Sequence, residues 1–404
     1  MIKTGSQAWW RITIALCLGS FMVFTNLYVT QPLLPMLARE FGVSPLQASY
    51  SLTISTLTLG AALIFYGAAS DAIGRRWLML GSMGGIVIMA LSLSLVTDYH
   101  TLLVLRAIQG LFLAGLPAIA VAYMADEFDA DALMSAVGLY IAANSLGGIF
   151  GRVIGGFAGE HLGWNQAFLV ISGMGLVLWL IVMLLLPKQQ HFSPRPFHPT
   201  SMLADMKRHL GNPKLLPAYI LGGLNFFIFV NQYSFITFVL EDAPYYLTPQ
   251  LLGLMFLTYL TGTMGSTLSG KLGKQFGQPQ CMMAGSVIMM IGTLTTLTPW
   301  LPVIILGFFI NSFGFFFAHS SASSWVSRNA EGAKASASSL YLLFYYVGAS
   351  SGGLYLNLFW QWQHWNGVII GSLLVLIITL MMAGRLRQIQ QRAESLPLQS
   401  IQKV

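Results

Sequence analysis

Charged residues are scarce in this chain of 404 residues. Asp, Glu, Lys and Arg together make up only 8% of it, whereas hydrophobic residues make up 55%. A water-soluble globular protein carries about 25% charged residues, which keep its surface hydrated. The shortage therefore excludes a soluble globular protein and predicts a chain that is surrounded mainly by lipid.

Cysteine is nearly absent as well. The two cysteines, Cys17 and Cys281, both fall in apolar stretches, which argues against a disulfide framework and against a cysteine-based metal site. We expect no metal and no cofactor. The formal net charge of +7 comes from basic residues in short hydrophilic gaps. Because these residues form no basic helix and accompany no aromatic platform, nucleic acid is not an expected partner.

Long apolar runs are abundant, and each is long enough to cross a bilayer, which takes about 20 residues. The first run is too long for a signal peptide and lacks a small-residue cleavage site, so it is predicted to be a membrane helix. The predicted fold is an all-α membrane protein. Its twelve predicted helices cover residues 12–37, 47–69, 77–96, 100–123, 135–158, 165–186, 215–240, 250–270, 280–298, 302–325, 336–359 and 366–384.

The twelve helices fall into two similar halves of six. "GAASDAIGRR" (67–76) ends helix 2, and "GKLGKQFGQP" (270–279) ends helix 8, about half a chain later. Such a repeat is typical of transporters whose substrate site lies between the halves near the midplane of the bilayer. The predicted domains are an N-terminal six-helix bundle (1–186), a cytoplasmic linker (187–214), a C-terminal six-helix bundle (215–384) and a cytoplasmic tail (385–404).

Basic side chains predict the orientation of the chain in the membrane. When the N-terminus is placed inside, the inner gaps hold nearly all of the Lys and Arg residues outside the helices, and the outer gaps hold only Arg39. Loops rich in Lys and Arg stay in the cytoplasm. We therefore expect a multi-pass protein with both termini in the cytoplasm.

Several motifs resemble those of the major facilitator superfamily. "GAASDAIGRR" resembles its signature between helices 2 and 3, and "RAIQG" (106–110) resembles its helix 4 motif. "GLYIAANSLGGIFGRVIGG" (138–156) resembles its exporter motif in helix 5, with Arg152 in place of a proline. The matching positions are Gly67, Asp71, Gly74, Arg75 and Arg76 in the first motif, and Gly138, Gly147, Gly151, Gly155 and Gly156 in the exporter motif.

Two further stretches, "AHSSASSW" (318–325) and "SSLYLLFYY" (338–346), resemble the arabinose-efflux-like branch of twelve-helix drug:H⁺ antiporters. The resemblance implies a monomeric exporter of the bacterial inner membrane that works by alternating access. It also implies a gate, in which the Asp71 carboxylate is stabilised by the N-terminal dipole of helix 11 when the inner side is closed. The alternative is that Asp71, Arg75 and Arg76 only fix the topology.

Two arginines, Arg106 and Arg152, lie inside predicted membrane helices. A cationic side chain there costs at least about 2.5–3.5 kcal/mol unless it faces protein or water, and no Asp or Glu falls within any predicted helix. An uncompensated positive charge favours an anionic or oxygen-rich polar substrate. The alternatives are that Arg152 extends to the outer surface and that Arg106 bonds to carbonyl groups or to Gln109.

A proton-linked transporter needs a group that changes its protonation during the cycle. His319 is the only histidine in the interior of a predicted helix, because His100 is the first residue of predicted helix 4. Histidine titrates near neutral pH. Asp126, at the inner end of helix 4, is a second candidate. The alternatives are that His319 forms a hydrogen bond between helices and that Asp126 is simply hydrated.

The resemblance implies that polar residues of helices 1, 4, 7 and 10 line the substrate cavity. The predicted cavity residues are Asn26, Tyr28, Gln31, Arg106, Gln109, Asn231, Gln232, Tyr233, Asn311 and His319.

The predicted function is secondary active transport, namely proton-linked export of a small anionic or polar organic solute. The partners are this solute, protons and the lipid bilayer. Proton-linked import and uncoupled facilitation of sugars or organic anions are the alternatives. An enzyme is not expected, because the sequence contains neither a cluster of metal-binding residues nor a nucleophile paired with a base.

Overall fold

The computed structural model describes residues 1–190, 199–330 and 334–395. Within these ranges it describes only the backbone of Ala68, Asp71, residues 199–203, residues 334–335 and residues 393–395. The described part is almost entirely helical, and its only β-type pairing is an isolated bridge between Ile2 and Phe128. The predicted all-α membrane fold is confirmed.

The first six helices follow the prediction, although two of them are interrupted. Helix 1 is broken by a 3₁₀ turn at Gln31–Leu33, and helix 4 is divided at Ala114. The bounds are Gln7–Tyr28 and Leu34–Phe41 for helix 1, Pro45–Ile73 for helix 2, Arg75–Leu93 for helix 3, Tyr99–Leu113 and Gly115–Glu127 for helix 4, Ala130–Leu162 for helix 5, and Trp164–Leu185 for helix 6.

The second six helices follow a short linker helix, Pro199–Leu210. Helices 11 and 12 form one long element that is broken at Gln363 and His364, where the backbone is not helical. The bounds are Leu216–Glu241 for helix 7, Pro249–Leu254 and Leu260–Gln275 for helix 8, Gln278–Thr295 for helix 9, Leu301–Asn329 for helix 10, and Lys334–Ser395 for helices 11 and 12 together.

The length and polarity of these helices suit a bilayer. Ten segments of the described chain are long and apolar enough to cross a membrane, and the segment Ser336–Arg392 contains the break that divides helix 11 from helix 12. Helix 9, with 18 residues, completes the set of twelve. Large side chains such as Phe65, Ile88 and Phe157 are more than half exposed, as expected of helices that face lipid.

The internal repeat seen in the sequence has the same backbone geometry in both halves. Gly74 connects helix 2 to helix 3 with φ of 101°, and Gly277 connects helix 8 to helix 9 with φ of 95°. A residue with a Cβ atom rarely adopts such an angle. Each glycine therefore permits a very short turn between two membrane helices, of one residue at Gly74 and of two residues, Phe276 and Gly277, in the second half.

Helices 1 and 8 are both interrupted by 3₁₀ segments. Pro32 and Pro35 lie at the break in helix 1, where the missing N–H of proline and the bulk of its ring oppose a continuous α-helix. In helix 8 the interruption covers Met255–Tyr259. Short 3₁₀ stretches within a helix often mark a functional hinge.

The chain forms two compact units. The first comprises residues 1–199, 230–259 and 349–357, and the second comprises residues 200–229, 260–348 and 358–404. The first unit thus contains the six N-terminal helices together with one end of helices 7, 8 and 11. These three ends are the C-terminal end of helix 7, the N-terminal end of helix 8 and the C-terminal end of helix 11. The site described next lies within this unit.

Candidate substrate-binding and gating site

Arg106 is completely buried and is bound by neutral oxygen atoms. Its Nε donates to the carbonyl oxygen of Ser51 at 2.8 Å, and its Nη2 donates to that of Leu27 at 2.8 Å. Its Nη1 donates to the carbonyl oxygen of Asn26 at 3.1 Å and to Oε1 of Gln109 at 2.5 Å. These bonds use four of the five guanidinium N–H groups.

The break in helix 1 explains why Arg106 is placed here. Asn26 and Leu27 belong to the last turn before the break, where helix carbonyl groups lack their full set of intrahelical partners. The C-terminal end of a helix also attracts positive charge. Arg106 therefore caps the first segment of helix 1 and joins it to helices 2 and 4. This is the carbonyl-bonded alternative weighed from the sequence.

Gln109 and Asn26 extend the same arrangement. Nε2 of Gln109 donates to Oδ1 of Asn26 at 3.3 Å, and Nδ2 of Asn26 donates to the carbonyl oxygen of Met22 at 2.9 Å. Both side chains are buried. In this conformation they hold helix 4 against helix 1.

Arg152 is also buried, with 1% of its surface exposed, but its surroundings differ. Its Nε donates to Oε1 of Gln31 at 2.8 Å, and its Nη1 donates to the carbonyl oxygen of Gly148 at 2.7 Å. Its Nη2 donates only to the hydroxyl of Tyr259, over a long 3.4 Å. Arg152 therefore points into the bundle in this structure and does not extend to the surface.

Three aromatic rings enclose the Arg152 guanidinium, and we call them the Arg152 cage. The guanidinium carbon lies 3.9 Å from the ring centre of Tyr28, 4.5 Å from that of Phe256 and 4.7 Å from that of Tyr259. Such contacts stabilise a cation by about 0.5–2 kcal/mol each. Tyr28 comes from helix 1, whereas Phe256 and Tyr259 come from the 3₁₀ segment of helix 8.

Glycine at position 148 leaves room for this cage. A Cβ atom there would lie 3.3 Å from Nη1 of Arg152 and 3.5 Å from the ring of Tyr28. Gly148 is not part of the glycine pattern recognised in the sequence. Its function becomes visible only when helices 1 and 5 are seen side by side.

Gln31 connects the cage to helix 7. Its Oε1 accepts from Arg152, while its Nε2 donates to the carbonyl oxygen of Val230 at 3.0 Å and to Oγ of Ser234 at 3.1 Å. Helices 1, 5 and 7 therefore meet at one buried amide side chain.

Other polar contacts join the N-terminal helices to helices 7, 8 and 11 around the cage. Arg39 forms an ion pair with Glu241, and Glu160 accepts from the backbone N–H of Gln250 at 3.0 Å. Two hydroxyl groups, those of Thr56 and Ser350, lie 3.0 Å apart. These contacts therefore join the N-terminal helices to the ends of helices 7, 8 and 11 within the first unit.

The helix 5 glycines are used for two close helix crossings. Cβ atoms on Gly147, Gly151 and Gly155 would each lie 2.5 Å from a backbone carbonyl oxygen of helix 1, those of Phe21, Thr25 and Val29. Small residues that allow this approach are common between membrane helices. Gly138 has nothing within 4 Å of such a Cβ atom.

Gly156 faces helix 8 rather than helix 1. A Cβ atom on it would lie 2.3 Å from the carbonyl oxygen of Pro249, and one on Gly253 would lie 2.7 Å from that of Arg152. The two glycines thus mark the point at which helix 5 crosses the first segment of helix 8. The cage lies immediately beside this crossing.

The predicted residues of helix 7 bond to its neighbours. Nδ2 of Asn231 donates to the carbonyl oxygen of Ala349 at 2.9 Å. The hydroxyl of Tyr233 lies 2.5 Å from that of Thr258, and its ring centre is 4.9 Å from that of Tyr259. Gln232 is buried beside them.

The remaining predicted cavity residues, Asn311 and His319, belong to the second unit. Nδ2 of Asn311 donates to Oγ1 of Thr293 at 3.0 Å, which joins helix 10 to helix 9. Nδ1 of His319 lies 2.8 Å from the hydroxyl of Tyr341 in helix 11. The imidazole is partly exposed, and its ring centre is 4.8 Å from that of Tyr345.

The loop between helices 2 and 3 forms a polar cluster near the N-terminus. Nε of Arg75 forms an ion pair with Asp126 at 2.7 Å, and Gln189 donates to the same carboxylate oxygen at 3.2 Å. Arg76 donates to the carbonyl oxygens of Leu186 and Met183 at 2.7 and 3.0 Å.

Two glycines of this motif have free space beside them. Nothing lies within 4 Å of a Cβ atom built on Gly67, in helix 2, or on Gly74, in the turn that follows. The side chain of Asp71 lies outside the described residues, so the predicted latch to helix 11 stays a prediction.

Sequence reasoning identified Tyr28, Gln31 and Arg152, which the structure brings together, but it did not connect them to one another. It missed Gly148, Ser234, Phe256 and Tyr259. The only local signal for the last two is a pair of aromatic residues three positions apart, and such spacing is common in any helix that faces lipid or a neighbouring helix.

Sequence comparison identifies the family. Residues 16–353 match the Major Facilitator Superfamily. The chain is 37% identical over 385 residues to the uncharacterized MFS-type transporter YybF of Bacillus subtilis, with 95% of each chain covered. It is 36% identical over 387 residues to the inner membrane transport protein YnfM of Escherichia coli, which covers 96% of this chain and 93% of the relative. The chain belongs to the Major Facilitator Superfamily, as the motifs predicted.

Solved structures show the same fold. A bacterial homologue of the human lysosomal transporter Spinster, in an inward-facing and occupied conformation, has a TM-score of 0.76 at 14% identity and covers 96% of this chain and 98% of its own. The nucleoside transporter NupG has a TM-score of 0.74 at 15% identity and covers 93% and 99%. These structures show the fold. The family match and the two relatives of more than 30% identity identify the chain as a secondary transporter that carries a small molecule across a membrane rather than an enzyme.

Proposed function

We propose that this transporter is a proton-linked exporter of a small anionic or polar organic solute. It acts as a monomer in the bacterial inner membrane, with both termini in the cytoplasm, by alternating access between an N-terminal bundle (1–186) and a C-terminal bundle (215–384). The observation that carries the proposal is the pair of buried arginines. No carboxylate in the described part of the chain hydrogen-bonds to either guanidinium.

An uncompensated cation favours an anion in the same low-dielectric space. Each buried guanidinium is expensive to keep in an apolar bundle, and neutral oxygens and ring faces compensate it only in part. A solute that brings a negative charge or several oxygen acceptors lowers this cost. The interior of the N-terminal bundle therefore favours anionic and polar solutes over cationic ones.

In the proposed orientation, the end of the first unit that carries the Arg152 cage lies on the outer side of the membrane. With both termini in the cytoplasm, the Arg152 cage and its surrounding contacts close the outer side, so the solute binds from the cytoplasm. Export then requires these contacts to break. Each of them is a single hydrogen bond, an exposed ion pair or a cation–π contact, and none of these is strong on its own.

At the cytoplasmic side we propose that the loop motif forms the second gate. Gly74 gives the sharp turn between helices 2 and 3, and Gly67 lies in the last turns of helix 2. Arg75 and Arg76 tie the motif to helices 4 and 6, and Asp71 binds the N-terminus of helix 11 when this side closes. An alternating-access cycle needs one gate closed while the other opens.

Proton coupling is assigned to His319 and Asp126. His319 is partly exposed, and its Nδ1 shares a hydrogen bond with the hydroxyl of Tyr341. A change in the protonation of His319 therefore alters the contact between helices 10 and 11. Asp126 is paired with Arg75, so its protonation releases the loop motif. The assignment is supported by the position of each residue in a side-chain contact between two helices.

Reconstituted vesicles test the proposal. The purified protein is incorporated into liposomes, a pH gradient is imposed, and uptake of a panel of carboxylates and their neutral amides is measured. Solute that accumulates on the side of higher proton concentration, against the flow of protons, indicates an antiporter and hence an exporter. Movement with the protons indicates the importer, and movement that ignores the gradient indicates an uncoupled facilitator.

A further inference from the structure

The two buried arginines are not equivalent in how completely their N–H groups are bonded. Arg106 uses four N–H groups, three of them on backbone carbonyls. Arg152 uses three, and its Nη2 has a single bond of 3.4 Å, which is longer than an ordinary N–H···O bond. The N–H groups of Arg106 are therefore bonded mainly to the backbone of neighbouring helices, whereas Nη1 and Nη2 of Arg152 keep N–H groups that are available to a further acceptor.

The partners of Arg152 also divide according to the helices that carry them. Gln31, Gly148 and Tyr28 belong to helices 1 and 5, the same bundle as Arg152 itself. Phe256 and Tyr259 belong to helix 8. When the outer gate opens between the two bundles, the first group stays with the guanidinium and the second group leaves.

The loss of helix 8 removes specific contacts from Arg152. Nη2 loses its hydrogen bond to the hydroxyl of Tyr259, and the guanidinium loses two of its three aromatic faces. With helix 8 withdrawn, Nη1 keeps one N–H group and Nη2 keeps two N–H groups that have no oxygen partner among the described residues. The planar edge that Nη1 and Nη2 form matches the two oxygens of a carboxylate.

From this geometry we propose that Arg152 is the residue that binds the anionic group of the transported solute, and that a carboxylate takes the place of the Phe256 and Tyr259 rings as the outer gate opens. The inference rests on the proposed export of an anionic solute and assigns that solute's charged group to one site. Because the carboxylate binds Arg152 only in the open state, its binding favours opening.

The location of the 3₁₀ segment supports this exchange. Phe256 and Tyr259 lie on Met255–Tyr259, between the two α-helical segments of helix 8. Within helix 8, Tyr259 is the last residue that belongs to the first compact unit. A break at this point allows the part of helix 8 that carries the rings to leave the guanidinium without movement of the whole helix.

Binding is measured first, without any proton gradient. The wild-type protein, Arg152→Gln and the control Gly173→Ala are reconstituted in nanodiscs and titrated with acetate, succinate and benzoate and with the amide of each. Gly173 is an exposed helical glycine with nothing within 4 Å of an added Cβ atom. We expect at least one carboxylate to bind wild type and control more tightly than its amide, and Arg152→Gln to weaken it roughly ten- to a hundredfold.

Gate opening is measured with spin labels. Labels on Leu162→Cys and Leu251→Cys, in a background with Cys17→Ser and Cys281→Ser, report the distance between helix 5 and the start of helix 8. We expect the carboxylate that binds to lengthen this distance in the wild type and not with Arg152→Gln.

Removal of the ring contacts supplies a second variant that keeps the arginine. Phe256→Leu combined with Tyr259→Leu is expected to lengthen the distance without any carboxylate and to tighten carboxylate binding. The proposal is overturned if no carboxylate is preferred over its amide, if Arg152→Gln binds the carboxylate as well as the wild type, or if loss of the rings weakens binding. A failure of proton coupling or of the export direction leaves all of these measurements unaffected.

Discussion

Replacement of Arg106 by leucine tests whether this arginine holds the fold together. The change leaves the carbonyl oxygens of Ser51, Asn26 and Leu27 without the donor that they have now. A buried acceptor without a partner costs about 1–3 kcal/mol, whereas hydrogen bonds measured inside one membrane protein average about 0.6 kcal/mol. The carbonyl of Ser51 lies inside helix 2 and keeps its intrahelical donor. The loss of stability therefore comes mainly from the two carbonyls at the end of helix 1 and is roughly 1–6 kcal/mol.

The same reasoning predicts a smaller effect for Arg152→Leu. Arg152 bonds to only one backbone carbonyl, that of Gly148 in the middle of helix 5, and a mid-helix carbonyl already accepts from the N–H four residues later. Gln31, its other close partner, keeps two bonds to helix 7. Most of the cost of losing Arg152 therefore falls on solute binding.

Thermal unfolding of the purified proteins separates the two arginines. We expect Arg106→Leu to lower the unfolding temperature by about 5 °C or more, Arg152→Leu to lower it less, and the control Gly173→Ala to leave it nearly unchanged. If Arg106→Leu unfolds at the same temperature as the control and loses carboxylate binding instead, the assignment of Arg106 to helix capping is refuted.

Three further predictions concern the two gates. Gly156→Ala places a Cβ atom 2.3 Å from the carbonyl oxygen of Pro249, so the spin-label distance between helices 5 and 8 should lengthen. The control Gly138→Ala on the same helix should leave this distance unchanged. If the two variants show equal distances, the close crossing of helices 5 and 8 at Gly156 is contradicted. His319→Gln should abolish solute accumulation driven by a pH gradient and preserve exchange of solute, and retained accumulation would exclude His319 as the proton carrier. Asp126→Asn removes the charge paired with Arg75 and should weaken the dependence of transport on the gradient, which unchanged vesicle uptake would disprove.

The membrane fold and its repeat follow directly from local features of the sequence. Apolar runs of about 20 residues determine where helices lie, and the glycines at 74 and 277 determine two of the turns between them. The breaks in helices 1 and 8 are harder to predict. Pro32 and Pro35 give a hint of the first, but "MFLTY" (255–259) contains neither proline nor glycine, so nothing in it signals a break.

The candidate site was predictable only in part, because its members come from distant segments. A buried arginine without a carboxylate partner is visible in the sequence as Arg152 within an apolar helix. Its enclosure by Tyr28, Phe256 and Tyr259 depends on how helices 1, 5 and 8 pack against each other, and no local pattern encodes that. The same limit explains why Arg106 was expected to face the solute, although its donors cap helix 1.

A structure of the outward-open state with a bound carboxylate tests the central claim most directly. The outward-open state is obtained with Gly156→Ala or with the variant that lacks the rings of Phe256 and Tyr259. We expect the carboxylate oxygens to lie within hydrogen-bond distance of Nη1 and Nη2 of Arg152. Tyr28 should still contact the guanidinium, and helix 8 should have moved away from it. A carboxylate bound elsewhere, or an Arg152 side chain that keeps helix 8 against it while the outer side is open, would contradict the account.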